Sequence, residues 1–149
     1  MIIGNPPSVA GWPAYYQAPK YHRWWINPSS LSVRMELVNN LNSSVGLKCN
    51  GPYIKFDLTM FVKQFKDPEN VDLLIDHCVE LLYAVRISDA AKNKLKSILL
   101  SGQVANHYWA DAWQKYIATP TDEEAKNIVE TRLRAFFKRM TNMVQYQMI

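Results

Sequence analysis

Apolar residues recur at helical spacing along most of the chain after residue 27. The clearest apolar stripe predicts an amphipathic helix and consists of Val71, Leu74, Ile75, Cys78 and Leu82. Six stretches of this kind predict helices. They run from about Pro28 to Leu41, Asp57 to Phe65, Asp67 to Leu82, Ser88 to Gly102, Tyr108 to Tyr116 and Thr121 to Val144.

Short polar residues at the start of several stretches fit helix N-termini. Asp57 and Ser88 are placed to cap the helices that follow them. Asp67, with a proline after it, has the order of a cap and a first helical residue, and Thr121–Glu124 has the capping-box pattern. Gly102 stands where a helix end favours a left-handed residue.

The residues between these stretches indicate loops. Residues 39–52 are rich in Asn, Ser and Gly and end in a proline, so they are predicted to form a long surface loop. No segment alternates long enough between apolar and polar residues to require a sheet. The predicted fold class is therefore all-α, an irregular bundle of about five or six helices.

Residues 1–27 differ from the rest because prolines and aromatic residues are dense there. Proline lacks an N–H group and restricts the residue before it, which disfavours a regular helix or a central strand. We predict an irregular aromatic arm over residues 1–27, packed on a helical body over residues 28–149. The two parts are expected to form one domain.

Composition narrows the class of protein further. The chain has 149 residues, 48% of them hydrophobic and 20% charged, which is typical of a globular domain. No apolar run approaches the roughly 20 residues of a membrane span, and the opening residues lack the pattern of a signal peptide. The net charge of +4 is spread along the chain, so we predict no nucleic-acid partner and no membrane span.

Several segments resemble a bacterial family. Asn5–Pro13 contains Pro-Pro-x-Val-x-Gly-Trp-Pro, and Trp25–Asn27 has a Trp-x-Asn helix start with Leu31 and Arg34 beyond it. These segments resemble the C-terminal part of the family called domain of unknown function 1800. Members often end in Glu-Tyr-Gln-Leu-Met, and the ending here, Val144–Met148, is similar with Gln in place of Glu.

The resemblance also covers Phe56–Leu58 and Tyr108–Trp113 and so extends over nearly the whole chain. Family members are considerably longer, which implies that this chain is a fragment of a larger bacterial protein. The resemblance implies an exported or periplasmic location. As partners it implies the missing N-terminal part and a sulfatase-like companion. It supplies no catalytic residue.

Two interpretations of the aromatic arm stay open. In the first, the arm is structural: Trp12 fills a pocket of the helical body. The clamp that holds it would consist of Gly11, Pro13, Asn27 as a helix cap and Arg34 as a partner for the arm. In the second, exposed rings stack on a sugar or a peptide. The candidates for that platform are Trp12, Tyr15, Tyr16, Tyr21, Trp24 and Trp25.

Reactive side chains do not form a recognisable catalytic or metal-binding pattern. His107 and Asp111 share a helix face, but two ligands make a weak metal site. Cys78 lies on an apolar stripe, which is typical of an inert buried thiol, whereas Cys49 lies in the predicted loop and is the more exposed. We predict no metal, no cofactor and no catalytic residue in this chain.

The last predicted helix is basic through Arg132, Arg134, Lys138 and Arg139. These residues alternate with apolar ones, so they are predicted to be a solvated face.

Taken together, the sequence predicts a structural or protein-interaction domain without catalytic activity of its own. One alternative is a carbohydrate- or peptide-binding module that uses the aromatic arm. The other is a subdomain of an enzyme whose active site lies in the missing N-terminal part.

Overall fold

The computed structural model describes residues 28–147. Over this range the protein is all-α apart from one two-stranded sheet, which confirms the predicted fold class. The chain divides into two compact units, Met1–Arg34 and Met35–Ile149, and their boundary falls within the first helix. In the described range the helices are α1 (Pro28–Leu41), α2 (Leu58–Val62), α3 (Val71–Leu82), α4 (Asp89–Leu99), α5 (His107–Ala118), α6 (Glu123–Thr141) and α7 (Val144–Gln147).

Helix α1 has the bounds that the sequence predicts, but none of its residues is fully buried. At the other end, the single helix predicted up to Val144 is two helices. Helix α6 stops at Thr141, and Asn142 caps it with its own backbone N–H bonded to the Lys138 carbonyl at 3.2 Å. Helix α7 follows as a short separate turn, so the described range has seven helices.

Two of the predicted N-terminal caps are confirmed. The Asp57 carboxylate accepts a hydrogen bond from the Met60 N–H at 3.0 Å, and the Ser88 hydroxyl accepts one from the Ala91 N–H at 3.3 Å. Each bond satisfies an amide that has no partner within its own helix. Helices α2 and α4 therefore begin where local sequence indicates.

Two other predicted helix starts are wrong by a few residues. Asn70, not Asp67, caps α3, and its side-chain oxygen accepts bonds from the second and third amides of the helix. Asp67 has a φ of +50°, whereas a capping residue needs extended backbone. Likewise Asp122, not Thr121, caps α6, with bonds of 3.0 and 3.2 Å. In both cases the oxygen that reaches the free amides of the helix belongs to the later of two nearby polar residues.

A short hairpin occupies part of the segment that we predicted to be a loop. Strand β1 (Leu47–Lys48) pairs antiparallel with β2 (Tyr53–Ile54). Asn50 and Gly51 form the turn, with φ of +47° and +117°, and such Asn-Gly turns match the twist of paired strands. The loop prediction is wrong here because two-residue strands are too short to show alternation.

The core lies where α6 packs against α2, α4 and α5, and where α3 packs on α4. Two hydrogen bonds, the first part-buried and the second buried, connect distant segments. The indole N–H of Trp109 donates to the Pro68 carbonyl at 2.8 Å, and the Tyr83 hydroxyl donates to the Met140 carbonyl at 2.9 Å. The largest fully buried side chains include Leu74, Leu95, Leu99, Trp109, Leu133, Phe136 and Met140.

The apolar stripe predicted for α3 faces the core: Val71, Leu74, Ile75 and Cys78 are buried, and Leu82 is half-buried. Within residues 28–147, no helix combines the length and apolar character that crossing a bilayer requires.

Candidate functional site

The aromatic residues predicted to bind a ligand lie outside the described part of the chain. They are Trp12, Tyr15, Tyr16, Tyr21, Trp24 and Trp25, and the clamp residues Gly11, Pro13 and Asn27 lie outside it as well. Arg34 is described and has an exposed side chain on α1. The ligand-binding and clamp assignments therefore stay predictions.

An apolar groove in the unit Met35–Ile149 is the strongest candidate site on the described residues. Its volume is about 400 Å³, within the range of small-molecule and peptide pockets. Helices α2, α3, α6 and α7 and the segment before α2 contribute to it. Its apolar lining includes Phe56, Met60, Phe61, Leu82, Phe137 and Tyr146.

Aromatic packing shapes the inner wall of the groove. The Phe61 ring meets Phe65 edge to face at a centroid distance of 5.1 Å and meets Phe137 at 5.6 Å. Phe137 in turn meets Phe136 of the core at 5.1 Å. Edge-to-face contacts of this kind hold rings in defined orientations. The inner wall is therefore anchored to the core of the protein.

The outer wall, in contrast, leaves apolar surface in contact with water. Phe56 is 46% exposed and Met60 is 57% exposed. Burial of side chains of this size lowers the free energy, and an exposed apolar concavity is typical of interaction surfaces. The groove can therefore accept an apolar group without any rearrangement of the core.

One end of the groove carries the negative charge of Asp57. The carboxylate accepts hydrogen bonds from the backbone of Met60 at 3.0 Å and from the Thr59 hydroxyl at 2.8 Å. The bond from the Met60 N–H is the main cause that lowers the pKa of Asp57, and the Thr59 hydroxyl adds to it. Asp57 is therefore ionised at neutral pH and held in place by its role as a cap.

The polar floor of the groove consists of Asn42 and Thr141, both nearly fully buried. The Thr141 hydroxyl donates its hydrogen to the Phe137 carbonyl at 2.8 Å. A hydroxyl has one hydrogen, so Thr141 must accept the bond that it makes with the Asn42 amide nitrogen at 3.3 Å. This orients the Asn42 side chain and leaves its Oδ1 without a hydrogen bond from residues 28–147.

Arg134 fixes the backbone on which Asn42 lies. Its Nη1 donates to the carbonyls of Asn42 at 3.1 Å and Ser43 at 2.8 Å, while Nη2 pairs with Glu130 at 3.3 Å. A second bond, from the Asn142 amide to the Asn39 side-chain oxygen at 2.6 Å, holds the end of α1. The floor of the groove is thus rigidly connected to α6.

These contacts correct the prediction of a solvated basic face on α6 for Arg132 and Arg134, whereas Lys138 and Arg139 are exposed, as predicted. The Arg134 side chain is only 12% exposed. Arg132 donates to the Tyr108 carbonyl at 2.8 Å, and burial lowers its pKa. Both guanidinium groups therefore serve contacts within the protein. These contacts could not be predicted from the sequence because their carbonyl partners come from distant segments; the i, i+4 spacing of Glu130 and Arg134 is the local signal for their ion pair.

The other chemically reactive candidates are structural or isolated. Cys78 is buried in the core, and desolvation raises the pKa of its thiol to about 12, whereas Cys49 is exposed, as predicted. His107 is exposed and lies against the Tyr108 ring at 4.3 Å. His77 stacks on Phe65 at 5.9 Å. No three His, Cys, Asp or Glu side chains in the described range lie close enough together to hold a metal ion.

Elsewhere on the surface, two carboxylates are bound by basic or amide groups of the protein. Asp72 accepts hydrogen bonds from Lys96 at 2.8 Å and from the Asn106 amide at 3.1 Å, and Asp76 pairs with Lys92 at 2.6 Å. Asp57 has no ion-pair partner among residues 28–147, so it is the charge next to the groove that is available to a ligand.

The chain matches no protein-family model, no curated protein and no solved structure.

Proposed function

We propose that this chain is a structural or protein-interaction domain without catalytic activity of its own, and that the apolar groove is its contact surface. The observation that carries the proposal is the pairing of a rigid inner wall with an exposed outer wall. Phe61 and Phe137 are packed into the core, while Phe56 and Met60 remain about half exposed. A preformed apolar concavity of this kind favours binding without a large ordering cost.

The resemblance stated above supplies the proposed context. In that context the partner would be the N-terminal part of a longer protein, or a sulfatase-like companion, and the location would be exported or periplasmic. The groove is suited to either partner because it has room for about a few apolar side chains, which a single segment of either protein can supply.

A peptide selection tests the proposal. The full chain is used to select binders from a displayed library of random peptides, and the selected peptides are tested against the double variant Phe56→Ala/Met60→Ala. We expect this variant to weaken binding about tenfold or more, since two apolar contacts at the groove are removed. The matched control is Leu73→Ala/Leu81→Ala on α3, whose side chains are 40% and 60% exposed and lie outside the groove.

Binding that the control pair weakens as much as the groove pair would overturn the assignment of the surface. Failure to select any peptide would count against the interaction role itself. Thermal unfolding of both double variants shows whether a loss of binding results from a loss of fold.

A further inference from the structure

We infer that the groove binds an aromatic side chain that carries a hydrogen-bond donor on its ring, flanked in the same partner segment by a cationic side chain. This inference rests on the proposed function and names the chemistry of the partner. It predicts an indole or phenol ring in the groove, with its N–H or O–H at Asn42 and the cation at Asp57.

The lining of the groove favours an aromatic ring over a branched aliphatic group. The half-buried Phe61 ring is held edge to face against Phe137 at 5.6 Å, and Phe56 is 46% exposed, so aromatic surface lines the groove for a further ring. Met60 brings a flexible thioether to the outer wall, and sulfur makes favourable contacts with ring edges. The volume of about 400 Å³ is sufficient for one bicyclic ring and part of its backbone.

The buried amide of Asn42 selects for a donor on that ring. Thr141 fixes the amide so that Oδ1 remains as an acceptor, and the residue is only 3% exposed. A phenyl or methyl group seated over Asn42 would bury this acceptor without a partner, which is unfavourable. An indole N–H or a phenol O–H would satisfy it. This is the feature that distinguishes Trp and Tyr from Phe and Leu.

The charge of the groove selects for a cation beside the ring. Asp57 is the one charged residue that lines it in the described range. Lys63, whose charge acts on Asp57, has its ammonium 4.7 Å from the centre of the Tyr116 ring, and among residues 28–147 it forms no ion pair with Asp57. The carboxylate is therefore open to a cation of the partner, at an exposed position where the gain is modest.

Tryptamine is a suitable probe because it combines an indole N–H with an ammonium group. We would titrate it into the full ¹⁵N-labelled chain and follow the amide signals of Met60 and Phe61 by NMR. 1-Methyltryptamine lacks the ring donor, and N-acetyltryptamine lacks the cation. We expect the methylated probe to bind about fivefold or more weakly, and the acetylated probe about threefold more weakly, than tryptamine.

The variant Asp57→Asn removes the charge beside the groove but keeps a residue that can cap α2. Asparagine caps a helix as well as aspartate does, so α2 should be retained. We expect the variant to lose the preference for tryptamine over N-acetyltryptamine while it keeps the preference over 1-methyltryptamine. Val85→Asn, at a half-exposed position outside the groove, is the control that should change neither preference.

Equal binding of all three probes, or no shifts at millimolar concentrations, would overturn the inference. The proposed function is judged separately by the peptide selection. Peptides that depend on Phe56 and Met60 but carry no aromatic residue next to a basic one would leave the interaction surface in place and refute its assigned chemistry.

Discussion

Arg134 on helix α6 donates a hydrogen bond of 2.8 Å to the carbonyl of Ser43, a residue 91 positions earlier in the chain. With the bond to Asn42 at 3.1 Å, it holds the segment after α1 against the C-terminal helices. A guanidinium group suits this role because it remains charged and presents several donors in a fixed plane. Arg134 therefore helps to hold the polar floor of the groove, together with the bond from Asn142 to Asn39.

Arg134→Ala should lower the free energy of unfolding by about 2 kcal/mol, because two carbonyls lose a charged donor in a mostly buried place. Arg134→Lys should recover only part of the loss, since an ammonium is a point charge without the fork geometry. Arg139→Ala, at an exposed position on the same helix, should change stability by less than about 0.5 kcal/mol. Urea unfolding measures all three, and equal losses for Arg134 and Arg139 would contradict the contact.

Substitutions at Asp122 and Thr121 test which of the two residues caps α6. Asp122 accepts two amide hydrogen bonds, so Asp122→Ala should cost about 1 kcal/mol. Thr121→Ala should stay within about 0.5 kcal/mol of the parent protein, because Thr121 does not cap the helix. If the two effects were reversed in a denaturant titration, the capping box predicted from sequence would be correct after all.

Gly46 is required by a close approach within the hairpin. Its φ is +93°, and a Cβ atom there would lie 2.6 Å from the Ile54 carbonyl oxygen. Gly46→Ala should therefore destabilise the protein by about 2 kcal/mol, through both strain and collision. Gly102→Ala is the matched control, since its φ is +81° but the space around it is open. It should cost about 1 kcal/mol, and a cost equal to that of Gly46→Ala would argue against the collision.

Stability should fall at alkaline pH. Burial raises the pKa of Cys78 from 9.0 to about 12, and it is also the main cause that raises the pKa of Tyr83 from 10.0 to about 12. In the unfolded chain both groups lose their protons at the lower values, so the unfolded state binds fewer protons over this window. The stabilising contribution is complete below about pH 9 and is lost as the pH rises towards 12.

The urea midpoint between about pH 8 and about pH 11 measures this loss. Cys78→Ala should remove the part that begins near pH 9, and Tyr83→Phe should remove the part that begins near pH 10. A variant whose midpoint declines as steeply as that of the parent protein would show that its group is not responsible.

Much of the helical structure could be predicted because its signals are local. The spacing of apolar residues located all six predicted helices, and Asp57 and Ser88 cap theirs through bonds to amides three residues ahead. The hairpin could not be found in the same way. Leu47 and Ile54 are paired by a turn whose strands are two residues long, so the sequence contains no repeated pattern to detect.

The candidate groove was less predictable than the fold. Phe61 and Phe137 are 76 positions apart, yet their rings form one wall, and Asn42 and Thr141 are 99 positions apart, yet they share a hydrogen bond. Taken singly, each of these residues is an ordinary apolar or polar position with no sequence signal for a site. Only the packing of α2 and the end of α1 against α6 brings them together.

The fold class, most helix positions and most buried helix faces follow from local sequence, because helix formation and amphipathicity depend on contacts within a few residues. The packing of distant segments determines where Arg132 and Arg134 of α6 donate and which side chains line the groove. These outcomes depend on distances between segments far apart in the chain, and such distances are set only when the helices pack around a common core.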